Sequence, residues 1–287
     1  MKKYISLILT TLIALPLTAF DWPQEQTESD MFYSYYGQLR GDQISSSLIF
    51  TDPSEVNACE NGQIGIILTE HDDGMGWFNS TLGNCIIISH SDNLNTVYGN
   101  LENSSIPDAL STKQKVEKNE ILGYSANSGW QKSQSCLEFQ VYDTKNNTSV
   151  NPRILLPRKG KELSLHCTNL KLIDKEGTEW ELSKTRKIPS GNYKIYKDRQ
   201  EVAVPFKTLV AINGVTNETI SYETLSQVER KLCIHGNDFY SKEVFYPAND
   251  KQLLGKVLFT KGYNSLSITL VNILGITQTF TYNLEIY

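Results

Sequence analysis

The sequence is poor in histidine and has no excess of positive charge. It contains four histidines in 287 residues, and none of them lies between residues 20 and 70. Lys and Arg number 27 against 32 Asp and Glu, which gives a net charge of −5 and a pI near 5.5. A chain with negative net charge does not attract a polyanion, so the composition argues against nucleic acid as the main partner.

Long apolar runs are also missing, except at the N-terminus. Lys2 and Lys3 precede an apolar run over residues 5–17, which ends in Thr18 and Ala19. This is the pattern of a secretory signal peptide, and the run is shorter than the ~20 apolar residues that cross a bilayer. No cysteine follows the run, which argues against a lipid anchor. We therefore expect residues 1–19 to be removed and the mature chain to be exported without a transmembrane segment, to the periplasm or cell envelope or into the medium.

Five cysteines are spread along the chain, at Cys59, Cys85, Cys136, Cys167 and Cys233. Disulfides persist in exported proteins, and the pairs Cys59–Cys85 and Cys167–Cys233 would leave Cys136 unpaired. The alternative is that these residues are buried as small hydrophobic side chains. Spacing alone does not decide between the two.

Most of the mature chain is typical of short β-strands. In the first half, strands are predicted over residues 63–68, 85–90, 96–98 and 136–142, because β-branched and aromatic residues alternate with clusters of Gly, Asn, Asp and Ser. No long amphipathic helix is predicted. The fold class is therefore expected to be all-β.

A domain boundary is predicted at residues 151–161, where Pro152, Pro157 and a basic run interrupt the strand pattern. We assign residues 20–157 to a first domain and residues 158–287 to a second. Seven short strands in the second domain indicate an immunoglobulin-like β-sandwich, with a small barrel as the alternative. These strands are predicted over residues 170–173, 191–196, 207–212, 231–234, 255–259, 266–271 and 277–286.

Several motifs of the first domain occur in a recognisable order. VNACENGQI at residues 56–64 resembles V-x-A-x-x-x-G-x-V, and GNCIIISH followed by NTVYGNL resembles G-N-x-V-x-I-x-H followed by T-x-Y-x-H-L. CLEFQV at residues 136–141 resembles H-L-H-F-E-V, and Asn151-Pro152 resembles a closing D-P. Residues 32–156 thus resemble the LytM-type domain of the M23 zinc peptidases, many of which are peptidoglycan endopeptidases.

The resemblance does not extend to the residues that carry the chemistry. The family binds zinc through a His, an Asp and the second His of H-x-H, and the corresponding positions here hold Gln43, Ser47 and Glu138. Asn100 and Cys136 replace two further histidines of the family site. Neutral amides and hydroxyls are poor zinc ligands, and without zinc no acidified water is available to attack an amide. We therefore assign no catalytic residue, no metal ligand and no cofactor to this chain.

The same positions define a candidate binding groove: Gln43, Ser47, Tyr98, Asn100, Cys136 and Glu138, with Trp130 as a further aromatic residue. The resemblance implies a non-enzymatic envelope protein that binds peptidoglycan or regulates a cell-wall hydrolase. Two alternatives stay open. The chain is an active zinc endopeptidase with unconventional ligands, or it is a structural or adhesive surface protein that makes contact through the second domain.

Overall fold

The computed structural model describes residues 20–25, 32–70, 80–129, 136–158 and 160–287. The predicted signal peptide and Trp130 lie outside these residues. The strands of the first half are β1 (Phe32–Ser34), β2 (Leu39–Arg40), β3 (Gln43–Ile44), β4 (Leu48–Phe50), β5 (Glu55–Asn57), β6 (Gly62–Leu68), β7 (Asn84–Ser89), β8 (Leu94–Leu101), β9 (Lys115–Val116), β10 (Ile121–Tyr124), β11 (Glu138–Asp143) and β12 (Thr148–Val150).

The second half continues with both short and long strands. They are β13 (Lys171–Ile173), β14 (Glu179–Glu181), β15 (Lys187–Ile188), β16 (Gly191–Asp198), β17 (Lys207–Ile212), β18 (Val215–Val228), β19 (Lys231–His235), β20 (Phe239–Ser241), β21 (Lys251–Phe259), β22 (Gly262–Val271) and β23 (Thr277–Ile286). The described residues contain two α-helices, α1 (Ala109–Thr112) and α2 (Lys242–Phe245), and two short 3₁₀ helices, Asn103–Ser105 and Pro152–Ile154. The prediction of an all-β chain is confirmed, and no helix of the described residues is long enough to cross a membrane.

The first half is built on an antiparallel sheet whose strands run in the order β12-β11-β8-β7-β6-β9. One face of this sheet is apolar and closes a core that includes Ile86, Tyr98, Leu101 and Phe139, all with no exposed surface. Alternation along β11 places Phe139 and Val141 in this core and turns Glu138 and Gln140 to the opposite face. That opposite face carries the candidate site.

The second half is a β-sandwich, as predicted. A four-stranded sheet in the order β14-β13-β16-β21 faces the strands β15-β23-β22-β17-β18. The core between them contains apolar side chains from both sheets, for example Ile195 and Phe259 from one and Ile268 and Leu284 from the other.

The two halves share one continuous sheet. Strand β18 pairs with β17 in the sandwich and, through residues 224–226, with β12 of the first half. A third core lies at this junction and joins Tyr36 and Ile44 to Tyr222, Ile234 and other apolar residues of the second half. The long strand β18 was not predicted from the sequence, because Thr, Asn, Glu and Ser outnumber its apolar residues.

The five cysteines are free thiols, and all but Cys167 are buried. The cysteines therefore agree with the alternative in which they are small buried side chains. The Cys59–Cys85 and Cys167–Cys233 disulfides are not formed. Burial raises the pKa of Cys59 to about 12, so this thiol is protonated at neutral pH.

Position 37, at the junction of the two halves, has no space for a side chain. Its φ is +80°, and a Cβ at this position would lie 2.7 Å from Cδ1 of Tyr222, across the junction. We expect Gly37→Ala to lower the free energy of unfolding by about 2–4 kcal/mol, from left-handed backbone strain and from overpacking.

Gly41→Ala is the matched control, because Gly41 also has a positive φ of +58°, but a Cβ added there would have no atom within 4 Å. This variant should cost only the backbone term, about 1–2 kcal/mol. Urea denaturation followed by tryptophan fluorescence measures both. Equal losses in the two variants would contradict the close packing of the two halves at Gly37.

Candidate functional site

A groove of about 480 Å³ lies on the polar face of the first half and reaches the junction with the second. Its wall combines the β2–β3 hairpin and the segment that follows it, the start of β11, and Leu232 from β19. The residues that line it are Arg40, Gln43, Ile44, Ser45, Ser46, Ser47, Thr81, Leu82, Glu138, Gln140 and Leu232. The groove thus brings together three of the six predicted site residues: Gln43, Ser47 and Glu138.

Glu138 is the buried charge of the groove, with only 5% of its side chain exposed. Nη1 of Arg40 donates a hydrogen bond to its Oε1 at 2.9 Å, and the Ser47 hydroxyl donates to the same oxygen at 2.5 Å. Gln140 Nε2 lies 2.8 Å from Ser47 Oγ and 3.3 Å from Glu138 Oε1. A buried carboxylate is tolerated only when it is paired and hydrogen-bonded, and these three side chains meet that need.

Strand pairing explains why these residues meet. In the antiparallel pairing of β4 with β11, Glu138 is opposite Ile49 and Phe139 is opposite Leu48. The same register brings Ser47 opposite Gln140 and diagonally across from Glu138, on the same face. Arg40 and Gln43 are opposite each other in the β2–β3 hairpin, which places the guanidinium and the Gln43 amide at one end of the groove. Gln43 is exposed, whereas Ser47 is buried.

Tyr98 does not line the groove. Its ring is fully buried in the core and packs on Phe139, with ring centroids 5.2 Å apart. Its hydroxyl donates to Cys59 Sγ at 3.0 Å and accepts from the Cys59 amide at 2.9 Å. Alternation along β8 turns this side chain to the apolar face, so the aromatic residue predicted for ligand contact belongs to the core.

Asn100 and Cys136 are also fully buried and lie outside the groove lining. Asn100 Nδ2 donates to the Cys136 carbonyl at 2.7 Å, and Asn100 Oδ1 accepts from the Gly129 amide at 2.7 Å. Asn100 has a φ of +66°, a conformation that Asn tolerates better than most residues. Its amide thus holds together backbone segments, and burial raises the pKa of the Cys136 thiol to about 11, which makes Cys136 a poor nucleophile at neutral pH.

Two residues of the site were missed or misjudged from sequence. Arg40 and Gln140 were not predicted as site residues. A buried carboxylate needs a positive partner, but Arg40 lies 98 positions from Glu138 in the sequence, so no local pattern points to the pair. Asp42 directly precedes Gln43 and is the carboxylate nearest to that position in the sequence, but it does not line the groove. Its side chain is 96% exposed and pairs with Lys242 Nζ at 3.5 Å.

The donor set does not fit a zinc ion. Of the three aligned positions only Glu138 supplies an anionic oxygen, and that oxygen already accepts from a guanidinium and a hydroxyl. A cation at this place would meet the positive charge of Arg40 2.9 Å from its only carboxylate ligand. Over the residues that the structure describes, no group of three or more His, Cys, Asp or Glu side chains is arranged to hold a metal. His90 is engaged elsewhere, with ring nitrogens 2.8 Å from the Asn61 carbonyl and from Thr96 Oγ1.

Comparison with known proteins finds a family match for most of the first half. The family described as peptidase family M23 matches residues 48–152. Residues 48–152 are therefore similar to an M23 peptidase domain. A second family model, which names no activity, matches residues 164–287. The M23 match begins after Gln43 and Ser47, which the structure nevertheless brings to Glu138.

Individual relatives are distant. A protein of Treponema pallidum (strain Nichols), described as uncharacterized, is 28% identical over 122 residues, which are 40% of this chain and 80% of that protein. The catalytic domain of a prophage-encoded M23 protein, EnpA, from Enterococcus faecalis is 23% identical with a TM-score of 0.33, over 43% of this chain and 88% of that one. A complex of SpoIIIAH and SpoIIQ contains a chain that is 17% identical with a TM-score of 0.35, over 47% of this chain and 98% of that one.

The energetic coupling of Arg40 to Glu138 is measurable. Arg40→Gln removes the cation from a buried carboxylate, so we expect a loss of about 1–3 kcal/mol in the free energy of unfolding. The double variant Arg40→Gln/Glu138→Gln should recover about 1 kcal/mol or more relative to the sum of the single variants. Chemical denaturation of the four proteins gives the coupling energy.

The exposed pair Lys184–Glu181, with Nζ and Oε2 2.6 Å apart, is the control. Its side chains are 77% and 43% exposed, so solvent screens the pair and the equivalent cycle to Gln should give a coupling well below that of Arg40 and Glu138. If the coupling energy of Arg40 and Glu138 were no larger than that of Lys184 and Glu181, the buried ion pair would not stabilise the groove.

Proposed function

We propose that this chain is an exported cell-envelope protein whose M23 domain binds peptidoglycan without cleaving it. The observation that carries the proposal is the ion pair between Arg40 and Glu138 at the place of the family's metal site. The guanidinium supplies the positive charge that a metal would supply, but it has no exchangeable water to ionise and so cannot generate the nucleophile of a metallopeptidase.

The groove keeps groups that suit a peptide ligand. The Gln43 amide is exposed, and the hydroxyls of Ser46 and Thr81 are also available at the wall. Amides and hydroxyls both donate and accept hydrogen bonds, which matches the alternating N–H and C=O groups of a peptide. Stem peptides of peptidoglycan are the ligand class that the M23 resemblance implies, and the N-terminal pattern of a signal peptide supports delivery to the same compartment.

Alternatively, the same groove binds a cell-wall hydrolase and regulates it. In that case the occupant is a segment of the hydrolase, and adding this protein changes the rate of the hydrolase. The structural or adhesive role, in which the second half makes the contact, differs in that groove variants would leave binding unchanged. Because β18 belongs to both halves, point variants test this better than removal of the second half.

Zinc binding separates the proposal from an active peptidase. We expect the purified mature chain, from residue 20 on, to contain no stoichiometric zinc and to show no saturable zinc binding by calorimetry, because Arg40 already neutralises Glu138. Glu138→Ala is the control variant. Tight one-to-one binding that Glu138→Ala abolishes, together with hydrolysis of cell-wall peptides, would establish the active endopeptidase instead.

Filling the groove should block binding. We expect Gln43→Trp to reduce co-sedimentation with purified peptidoglycan by a factor of about 10 or more, since a hot-spot contact is worth about 1.4 kcal/mol or more and the indole would occupy the end of the groove. Gln63→Trp, which alters an exposed glutamine on β6 outside the groove lining, should bind like wild type.

Three outcomes of this assay are distinct. Binding lost only in Gln43→Trp supports peptidoglycan recognition by the groove. Equal binding by wild type and both variants places the contact outside the groove. No binding by wild type, combined with a change in the rate of an added cell-wall hydrolase that Gln43→Trp removes, identifies the hydrolase as the partner.

A further inference from the structure

The outer edge of β23 is an open strand edge. Strand β23 pairs with β22 along its whole length in an unbroken register, from Gly262 opposite Ile286 to Val271 opposite Thr277. On its other side, β15 covers only Glu285 and Ile286. Among the described residues, nothing pairs with the outer backbone groups of residues 277–284.

The hydrogen bonds at the end of β23 that β15 covers show which backbone groups of β23 face away from β22. The Glu285 amide donates to the Arg186 carbonyl at 2.8 Å, and the Tyr287 amide donates to the Ile188 carbonyl at 3.1 Å, so odd-numbered residues point away from β22. Since the direction alternates along a strand, Thr277, Thr279, Thr281 and Asn283 present their N–H and C=O groups outward. The residues between them bond to β22.

This edge carries none of the features that usually prevent edge-to-edge pairing. Residues 277–284 read TQTFTYNL, without a charge or a proline, and the pairing with β22 contains no bulge. Phe280 and Tyr282 are only partly buried where they pack against the sandwich core at this edge. A strand added here would cover both the backbone groups and these rings.

We propose that two copies of the chain pair antiparallel through β23, about a twofold axis at Phe280. The edge is nearly symmetric about this residue, with Thr279 and Thr281 on either side and Thr277 and Asn283 beyond them. An antiparallel pairing therefore sets Thr279 of one copy opposite Thr281 of the other as hydrogen-bonded partners. It also brings the two Phe280 rings together at a non-hydrogen-bonded position, where side chains are closest.

A second copy fits this edge better than a charged partner does. The outward-facing segment holds only hydroxyl, amide and apolar side chains, so two copies place no like charges against each other. The charged residues at the covered end of the edge are already engaged: Lys187 pairs with Glu285 at 2.7 Å, and Arg186 Nη1 donates to the Leu182 carbonyl at 2.6 Å. Hydroxyl contacts to β22, such as Thr269 to Thr279 at 2.8 Å, hold the solvent face of the strand in order.

The experiment compares Thr281→Pro with Thr281→Ala by sedimentation equilibrium of the mature chain. Proline removes the outward N–H and puts its ring in the path of the second copy, and it breaks no bond to β22 because the Thr281 amide points outward. Alanine loses the same hydroxyl and keeps the N–H. We expect wild type and Thr281→Ala to approach twice the monomer mass with rising concentration, and Thr281→Pro to remain a monomer with an unchanged melting profile.

Amide hydrogen exchange on the wild-type protein tests the same pairing without a variant. The amides of Thr279 and Thr281 should become protected as protein concentration rises, while the amides of Gln278 and Phe280 are protected at every concentration because they bond to β22. A wild-type chain that stays monomeric throughout the series overturns the proposal. So does a dimer that forms equally in Thr281→Pro, or protection at residues 279 and 281 that does not depend on concentration.

Discussion

Pairing of β18 with β12 is the contact on which the rest of the structure depends. Through residues 224–226, a 14-residue strand of the sandwich extends the sheet of the M23-like first half. This pairing joins the two halves in one sheet, and Pro152–Ile154 form a 3₁₀ helix beside it. The Asn151 side chain donates to the Tyr222 carbonyl at 2.9 Å, which ties that helix to β18.

At the junction, tyrosine hydroxyls form hydrogen bonds with several buried polar groups. Tyr36 donates to the Ser149 carbonyl at 2.7 Å, and Tyr246 donates to the Gly37 carbonyl at 2.8 Å from the other half of the chain. The Tyr222 hydroxyl accepts from Gln252 at 2.7 Å. A buried tyrosine covers a large apolar area while its hydroxyl meets a polar group that would otherwise be unpaired, which explains how polar backbone can be enclosed here.

The groove depends on this junction as well. The β2–β3 hairpin that carries Arg40 and Gln43 is held through Ile44, which belongs to the junction core, and Leu232 of the second half closes one side of the groove. The Arg40–Glu138 pair therefore has its geometry set by contacts from both halves. In place of the two histidines and one aspartate that hold the metal in the M23 family, the site has one carboxylate held by a guanidinium, a hydroxyl and an amide.

Local sequence determined the all-β class, the approximate positions of most long strands, the M23 resemblance and the loss of the family's metal ligands, because strand alternation and motif order are properties of neighbouring residues. Tertiary structure decided the rest. Tyr98 lies in the core and not in the groove because its face depends on the register of β8 with its neighbours. The polar strand β18 is a strand because both its edges find partners, and Arg40 reaches Glu138 because the hairpin folds back across 98 positions of sequence, a distance over which no local pattern carries information.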